Sequence, residues 1–249
     1  MKIIDCYWEQ KNLGKKVVEI AIDSDGVLNK EELYQQISSH DYIVVKVPVG
    51  MTHVNFELSS LGFTMIETQI DISKRYKNFN FNDRLVKNVY PHASSVIVKS
   101  KEEISEIVSR ITPDMFSTDR VYLDNYFEPG SSANRYINWI WFEYERKSAD
   151  VAKLYYDGIN VGYGLTKVLG DGTQIGVLGG IYEEYQDMGL GLMTAAMAFI
   201  VADKWNIPFK VFRTSVSSNN PYMWQFYNYL GFKVDRMKYV FVKHNDCRI

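Results

Sequence analysis

The sequence predicts an α/β protein of two lobes, a smaller one over residues 1–92 and a larger one over residues 93–249. Strand-like and helix-like segments alternate along most of the chain, as they do in α/β folds. In the second lobe, three strand-like runs follow one another with only short turns between them, which indicates an antiparallel meander. The predicted sheet is therefore mixed and mostly antiparallel.

Composition places the chain among globular proteins. It has 249 residues, of which 46% are apolar, and this is enough to bury a core. The formal net charge is −2, and lysines are interleaved with acids, so nothing indicates a partner nucleic acid or an anionic membrane. The first residues lack a secretion signal, and no apolar run approaches the roughly 18 residues of a membrane span. We therefore expect a cytoplasmic protein with a small-molecule or protein partner.

Cysteine and histidine residues give no sign of a disulfide framework or a metal centre. Cys6 and Cys247 are the two cysteines, and they lie far apart in the sequence. The four histidines are scattered without metal-ligand spacing. We expect no bound metal.

The first lobe alternates between strands and helices. Asn29 and Glu32 form the pattern of a capping box, which predicts that a helix begins there. Gly62 follows Leu61 where a second helix ends, because glycine adopts the left-handed conformation of a helix C-terminus. The predicted strands are residues 16–22, 42–47 and 63–72.

The second lobe begins after a polar, asparagine-rich stretch at residues 74–92 that shows no clear period. Ser100 and Glu103 form another capping-box pattern, and Pro113 lies just past the end of the helix that they begin. Further helices are predicted at residues 133–146, 188–204 and 220–230. The predicted strands are residues 95–99, 149–156, 159–169, 173–181 and 209–215, followed by paired strands over 232–243.

The same short sequence pattern occurs in both lobes. Leu61-Gly62-Phe63 and Leu230-Gly231-Phe232 each connect a helix to a strand, and a short apolar strand precedes each helix. Glycine-capped helices that lead into strands are common in α/β proteins, so this is either a coincidence or a degenerate structural repeat. Because nothing in the first lobe matches residues 186–191, we expect one cofactor site.

The segment from Gln186 to Leu192 carries the strongest functional signal. A strand ends there, two closely spaced glycines follow, and an apolar helix begins. The free N–H groups and the dipole of a helix N-terminus attract anions, so a diphosphate is a good candidate ligand. The three glycines of a dinucleotide fingerprint and the Gly-Lys-Ser/Thr of a P-loop are both missing.

The sequence here resembles the GNAT superfamily of N-acetyltransferases. Its signature of Gln or Arg, two residues, Gly, one residue, and Gly or Ala is matched by Gln186, Gly189 and Gly191. A second pattern of the family is matched by Asn220, by Tyr227 and by the Gly-Phe pair at residues 231–232. The resemblance covers residues 93–249 and implies the GNAT fold, in which the fourth and fifth strands of this domain splay apart.

The resemblance also implies acetyl-CoA as a co-substrate, with its pantetheine arm between the splayed strands and its pyrophosphate on the glycine loop. A backbone N–H near Ile181 is expected to stabilise the oxyanion. Asp187 departs from the family pattern, because it places an acid where phosphate is expected. The cofactor-binding residues expected from the resemblance are Gly179, Ile181, Gln186, Asp187, Met188, Gly189, Leu190, Gly191, Leu192 and Asn220.

Tyr227 is the predicted catalytic residue. A phenol with a pKa of about 10 can protonate a thiolate whose conjugate acid has a pKa of about 8.5, if it is held near the sulfur. Tyr227 also has a purely structural interpretation, as one of 18 tyrosines packing an amphipathic helix. No general base is identifiable. Glu143, Glu183 and Glu184 are candidates that are more simply surface acids, and water is the alternative.

The acceptor is predicted from a looser resemblance, to the dTDP-fucosamine acetyltransferases, which acetylate the 4-amino group of a nucleotide-linked deoxysugar. Arg120 or Arg135 would then contact the diphosphate, and Tyr126, in the same loop as Arg120, would contact the acceptor. Two alternatives stay open, a GNAT enzyme for another amine and a non-catalytic module that binds acyl-CoA. Edge strands and an aromatic surface also make a homodimer an expectation.

Overall fold

A computed structural model describes residues 1–23, 26–128 and 130–245, so Cys247 lies outside the described residues. The described strands are β1 (Lys2–Asp5), β2 (Val17–Ala21), β3 (Tyr42–Pro48), β4 (Thr64–Arg75), β5 (Ala93–Ile97), β6 (Asp150–Tyr156), β7 (Ile159–Val168), β8 (Thr173–Ile181), β9 (Val211–Ser217) and β10 (Lys233–His244). They form one mixed sheet in the order β1-β2-β3-β10-β4-β9-β8-β7-β6-β5. The predicted α/β class and mixed sheet are confirmed.

Helices cover both faces of this sheet. The described α-helices are α1 (Glu9–Leu13), α2 (Lys30–Ser39), α3 (Thr52–Ser60), α4 (Arg84–Val89), α5 (Lys101–Ser109), α6 (Arg120–Leu123), α7 (Ser131–Arg146), α8 (Gly191–Lys204) and α9 (Pro221–Tyr229). Shorter 3₁₀ helices span Tyr76–Asn78, Pro113–Phe116 and Glu183–Met188. The largest apolar cluster lies beneath α8, whose buried residues are mostly Leu, Met, Ala and Phe.

Two of the predicted helix starts and one of the predicted hairpin turns are confirmed in detail. Asn29 Oδ1 accepts the backbone N–H of Glu32 at 3.2 Å. Ser100 and Glu103 form a complete capping box at the start of α5, where each side chain accepts the other residue's backbone N–H. Between β6 and β7, Asp157 and Gly158 have φ values of 49° and 77°, as the predicted tight hairpin requires.

Two predictions about the elements are wrong. Residues 74–92 are not irregular throughout, because β4 runs to Arg75 and the helix α4 follows, with Asp83 accepting the N–H groups of Leu85 and Val86. A helix of six residues is too short to show a period in the sequence. Residues 232–243 do not form paired strands, because β10 is a single strand with an irregularity between Val234 and Arg236.

At the centre of the sheet, strands of residues 1–92, the first half of the chain, pair with strands of residues 93–249, the second half. Strand β10 lies between β3 and β4, and β4 lies between β10 and β9. All three pairings are antiparallel, so β3-α3-β4 and β9-α9-β10 are arranged alike about the β10–β4 pair. This arrangement favours the structural repeat suggested by the two Leu-Gly-Phe segments. The lobe boundary at residues 92 and 93 stays a prediction, since strands from both sides of it share the sheet.

Strands β8 and β9 separate after a short parallel pairing. Their paired positions run from Thr173 with Val211 to Ile175 with Arg213, although β8 continues to Ile181 and β9 to Ser217. The equivalent parallel pair in the first half, β2 with β3, is joined along all five residues of β2. The predicted splay of the central strands is therefore present, and it lies in the second half.

Gly176 lies where the two strands part. A Cβ atom at this position would lie 2.5 Å from Cζ of Phe212, a buried ring of the main core. The glycine therefore allows Phe212 to fill the core directly beneath the point of separation.

We predict that Gly176→Ala lowers the free energy of unfolding by about 1–3 kcal/mol, because the added methyl group overpacks the core against Phe212. Gly170→Ala is the matched control, since nothing lies within 4 Å of a Cβ atom there. Chemical denaturation of both variants measures the difference. Equal stability of the two variants would contradict this account of Gly176.

Candidate functional site

A cleft of about 2220 Å³ opens where β8 and β9 part. It is lined on one side by the glycine loop and α9, and on the other by polar residues of β4 and by the segment from Pro113 to α7. Among the predicted site residues, those that line it are Gly179, Ile181, Gln186, Asp187, Gly189, Gly191, Asn220, Tyr227 and Arg120. The structure therefore brings most of the predicted residues together.

The glycine loop is held to the end of β8 by a side chain. Gln186 Nε2 donates to the carbonyl oxygen of Ile181 at 3.2 Å. The 3₁₀ helix that contains Gln186 ends at Gly189, which has a φ of 70°. Helix α8 then begins at Gly191, three residues later than predicted, because Gly189 takes a left-handed conformation that interrupts the helical path.

The start of α8 offers backbone donors to the cleft. Among the turn and cap hydrogen bonds of the described residues, none is donated by the N–H groups of Gly191 and Leu192. The side chains of Leu190 and Leu192 are buried in the main core, and Met188 is 57% exposed and does not line the cleft. Leu190 and Leu192 can therefore contribute to a ligand site only through their backbone.

Gly191 has a packing role as well as a place in the loop. A Cβ atom there would lie 2.6 Å from Cε2 of Phe226, a ring on α9. The second glycine of the signature therefore lets α8 and α9 approach closely. Close packing brings the Tyr227 end of α9 to the same cleft as the loop.

Tyr227 lines the cleft and is partly buried, with its ring 4.9 Å from that of Phe232 in an edge-on arrangement. Burial raises the pKa of its phenol to about 12, and the contact with Thr214 lowers it only in part. Thr214 Oγ1 in turn donates to the carbonyl oxygen of Gly176 at 3.0 Å. A protonated phenol is thus held next to the point where the strands separate.

Asn220 caps a helix and also faces the cleft. Its Oδ1 accepts the backbone N–H of Met223 at 3.1 Å, so the residue caps α9. Its side chain also lines the cleft, and within the described residues its Nδ2 makes no hydrogen bond. The cap fixes the side chain while leaving the amide nitrogen available to a ligand.

The three candidate bases lie outside the cleft lining. Burial would raise the pKa of Glu143, but hydrogen bonds from Lys167, Ser148 and Trp139 outweigh it and lower that pKa. A hydrogen bond from Arg110, at 2.6 Å, lowers the pKa of Glu184. Bound carboxylates with lowered pKa values are poor proton acceptors.

Sequence reasoning missed the polar wall that β4 contributes to the cleft. Glu67, Gln69 and Asp71 alternate along β4 and line the cleft. Asp71 accepts hydrogen bonds from Ser215 at 2.6 Å, from Gln69 at 2.7 Å and from Lys238 at 2.9 Å. The available signal was the run of polar residues at every second position of a strand whose other face is apolar.

The two residues predicted to contact the acceptor are placed differently. Arg120 lines the cleft, with its Nη1 atom 3.8 Å from Glu67 Oε1. Tyr126 is not part of the lining and stacks on His244 with 4.1 Å between ring centroids. Arg135 also lines the cleft, but its Nε donates to Glu9 at 2.6 Å in a buried ion pair between α1 and α7.

Among residues 1–23, 26–128 and 130–245, no group of three or more His, Cys, Asp and Glu side chains is arranged to hold a metal ion. In the same part of the chain, no helix combines the length and the apolar character needed to cross a membrane.

Comparison with solved structures identifies the fold. No protein-family model matches the chain, and no curated protein matches its sequence. The chain has the fold of GCN5-related N-acetyltransferases. It is similar to one from Kribbella flavida, at 14% identity over 91% of this chain and 80% of that one, with a TM-score of 0.55.

Two further structures show the same fold. One is a tandem GNAT protein from the clavulanic acid biosynthesis pathway, at 12% identity over 92% of this chain and 75% of that one, with a TM-score of 0.53. The other is the glucosamine N-acetyltransferase region of a fungal multi-domain β-N-acetylglucosaminidase. It matches at 13% identity over 92% of this chain and 30% of that one, with a TM-score of 0.61.

The raised pKa of Tyr227 predicts a pH effect on stability. Between pH 10 and 12 the unfolded chain ionises this phenol while the folded chain retains the proton, so stability falls as the pH rises through this window. Tyr227→Phe should therefore lose less stability than the wild type between pH 10 and 12. Urea denaturation at several pH values measures the slopes.

Tyr222→Phe, on the same helix but at a 74% exposed residue, is the control and should keep the wild-type slope. Identical slopes for Tyr227→Phe and the wild type would show that folding does not raise the pKa of this phenol.

Proposed function

We propose that this protein transfers an acetyl group from acetyl-CoA to the primary amine of a small molecule. The observation that carries the proposal is the opening between β8 and β9, which has the glycine loop on one side and a polar chamber on the other. A thioester that enters from one side would meet an amine that enters from the other. The reaction needs this convergence of two substrates.

The residues present fit acetyl-CoA. From Gly176 onwards β8 has no pairing with β9, so backbone groups that face the gap are available to the amides of the pantetheine arm. The N–H groups at the start of α8 suit the pyrophosphate. Asp187 lines the cleft with a carboxylate that opposes phosphate, so the backbone of the loop must supply most of the binding.

Three events make up the proposed transfer. The nitrogen of the neutral amine forms a bond to the thioester carbon, the bond between carbon and sulfur breaks, and the departing thiolate takes the phenol proton of Tyr227. The nitrogen loses its extra proton to water, from which Tyr227 is protonated again. A backbone N–H of β8 stabilises the oxyanion.

The β8 donor has two candidate positions. Ile181 was expected from the sequence, and its backbone faces away from β7, because the neighbouring Tyr182 forms the hydrogen-bonded pair with Val161 and the Ile181 carbonyl accepts Gln186. The register between β7 and β8 shifts between Leu165 and Thr166, which makes Val177 an extra residue next to the point of separation. We favour the backbone at Val177.

The acceptor proposed first is an amino sugar. The sequence resemblance suggests a nucleotide-linked one, and glucosamine, after which the fungal N-acetyltransferase region is named, is a practical first probe. The homodimer and the cytoplasmic location expected from the sequence belong to the same proposal. Another amine, or acyl-CoA binding without catalysis, would leave the CoA side of the cleft unchanged.

The test of catalysis is the release of free thiol from acetyl-CoA in the presence of amines. We predict that Tyr227→Phe lowers kcat by on the order of a hundredfold while CoA raises the melting temperature as it does for the wild type. Tyr229→Phe, on the same helix but outside the cleft lining, should retain full activity.

Each alternative outcome is informative. Unchanged kcat in Tyr227→Phe would remove this phenol as the acid. CoA protection without thiol release from any amine would favour a binding module. Absence of CoA protection would contradict the proposed function itself.

A further inference from the structure

We call the part of the cleft that is lined by β4, α6 and α7 the acceptor chamber. It contains an ion pair whose two side chains are not hydrogen-bonded to each other. Arg120 on α6 and Glu67 on β4 both line the cleft, and their side chains are 16% and 9% exposed. The closest atoms, Arg120 Nη1 and Glu67 Oε1, are 3.8 Å apart, which is too long for a hydrogen bond. Within the described residues neither side chain makes any hydrogen bond, and Arg120 Nε is fully buried without a partner.

In three other ion pairs, the charged atoms lie at hydrogen-bond distance from each other. Lys46 and Glu19 are 2.9 Å apart, and Lys238 and Asp71 are also 2.9 Å apart. Arg135 and Glu9 are separated by 2.6 Å. Burial would lower the pKa of Arg120, but the carboxylates of Asp119, Glu67 and Glu19 raise it. This attraction does not supply the hydrogen bonds that a buried charged group requires. Glu67 and Arg120 therefore have hydrogen-bonding capacity to offer a ligand in the cleft.

The surrounding charges restrict the chemistry of that ligand. An anion would satisfy Arg120 but would face the carboxylates of Glu67 and Glu19. An ammonium group would satisfy Glu67 but would face Arg120 and Lys46. A hydroxyl group both donates and accepts, and its oxygen can lie at ordinary hydrogen-bond distance from two atoms that are 3.8 Å apart. The pair is therefore complementary to neutral hydroxyl groups.

The same chamber contains a stack of aromatic rings. Phe116 lies on Tyr136 with ring centroids 4.0 Å apart, and Tyr136 is followed by Trp139 at 6.2 Å. All three residues line the cleft. Aromatic faces provide apolar contact area with a fixed geometry, while a few polar groups orient the ligand. An apolar stack beside this hydroxyl-binding pair suits a ring with hydroxyl groups on its edge.

We propose that Glu67 and Arg120 together recognise hydroxyl groups of the acceptor, so that the amine to be acetylated is carried by a polyhydroxylated, unphosphorylated ring. This inference rests on the proposed function and narrows its acceptor. It gives Arg120 a different role from the diphosphate contact expected from the sequence. The two residues come from different halves of the chain, so both halves contribute to specificity for a reaction performed in the second.

The test measures binding separately from turnover. Calorimetry with the CoA complex compares three aminohexoses, glucosamine, galactosamine and mannosamine, with cyclohexylamine, which has a ring and an amine but no hydroxyl groups. We expect at least one aminohexose to bind more tightly than cyclohexylamine. Glu67→Gln and Arg120→Lys should each weaken its binding about tenfold or more, as loss of a hydrogen bond to a charged group does, and leave cyclohexylamine within about twofold.

Controls separate this inference from folding defects and from the proposed function. Glu184→Gln removes a carboxylate that is paired with Arg110 outside the cleft lining, and it should bind the aminohexoses as the wild type does. Protection of each variant by CoA against heat reports that the fold is intact. Thiol release with the same amines tests catalysis independently of binding.

Two results would overturn the inference while the proposed function survives. One is a wild type that binds and acetylates cyclohexylamine better than every aminohexose. The other is an equal loss of affinity for both kinds of amine in Glu67→Gln and Arg120→Lys. If aminohexoses bind through this pair but no thiol is released with any amine, the inference stands and the catalytic proposal fails.

Discussion

The structure depends on the point at which β8 leaves β9. Three residue pairs join these strands, and then the two backbones diverge while each continues in its other pairing. Gly176 leaves room for Phe212 at this point, and Thr214 bridges the gap with a hydrogen bond to the Gly176 carbonyl. Divergence creates backbone without a strand partner in the middle of a sheet, and such groups are satisfied by side chains, by water or by a ligand.

Strands of the two halves alternate at the centre of the sheet, and this arrangement explains why both halves line the cleft. Because β4 pairs with β9, residues of the first half line the opening formed in the second. Glu67, Gln69 and Asp71 reach the cleft by this pairing alone. The buried pair between Glu9 and Arg135 ties α1 to α7, and Arg135 lines the same cleft. In the first half, the parallel strands β2 and β3 stay paired along the whole of β2. This half therefore contributes a wall of the cleft and forms no opening between β2 and β3.

Much of the fold and of the glycine loop could be predicted from local sequence patterns. The capping box at Ser100, the hairpin turns and the loop from Gln186 to Gly191 depend on residues close in sequence, and their positions followed from the sequence alone. The chamber wall depends on β4 meeting β9, a pairing between residues nearly 150 positions apart, as in Gln69 with Ser217. No periodicity encodes such a pairing. Tyr126 was placed by proximity to Arg120 in sequence, but Arg120 begins α6 while Tyr126 follows its end and stacks on His244.

Amide hydrogen exchange with and without CoA tests the central claim most directly, because it follows the backbone groups that the separation of β8 and β9 leaves unpaired. Our account predicts that CoA slows exchange in residues 176–181 of β8 and at the start of α8, and leaves β2 unchanged, since β2 is already fully paired with β3. Protection confined to the first half, or no protection of residues 176–181 at saturating CoA, would contradict it.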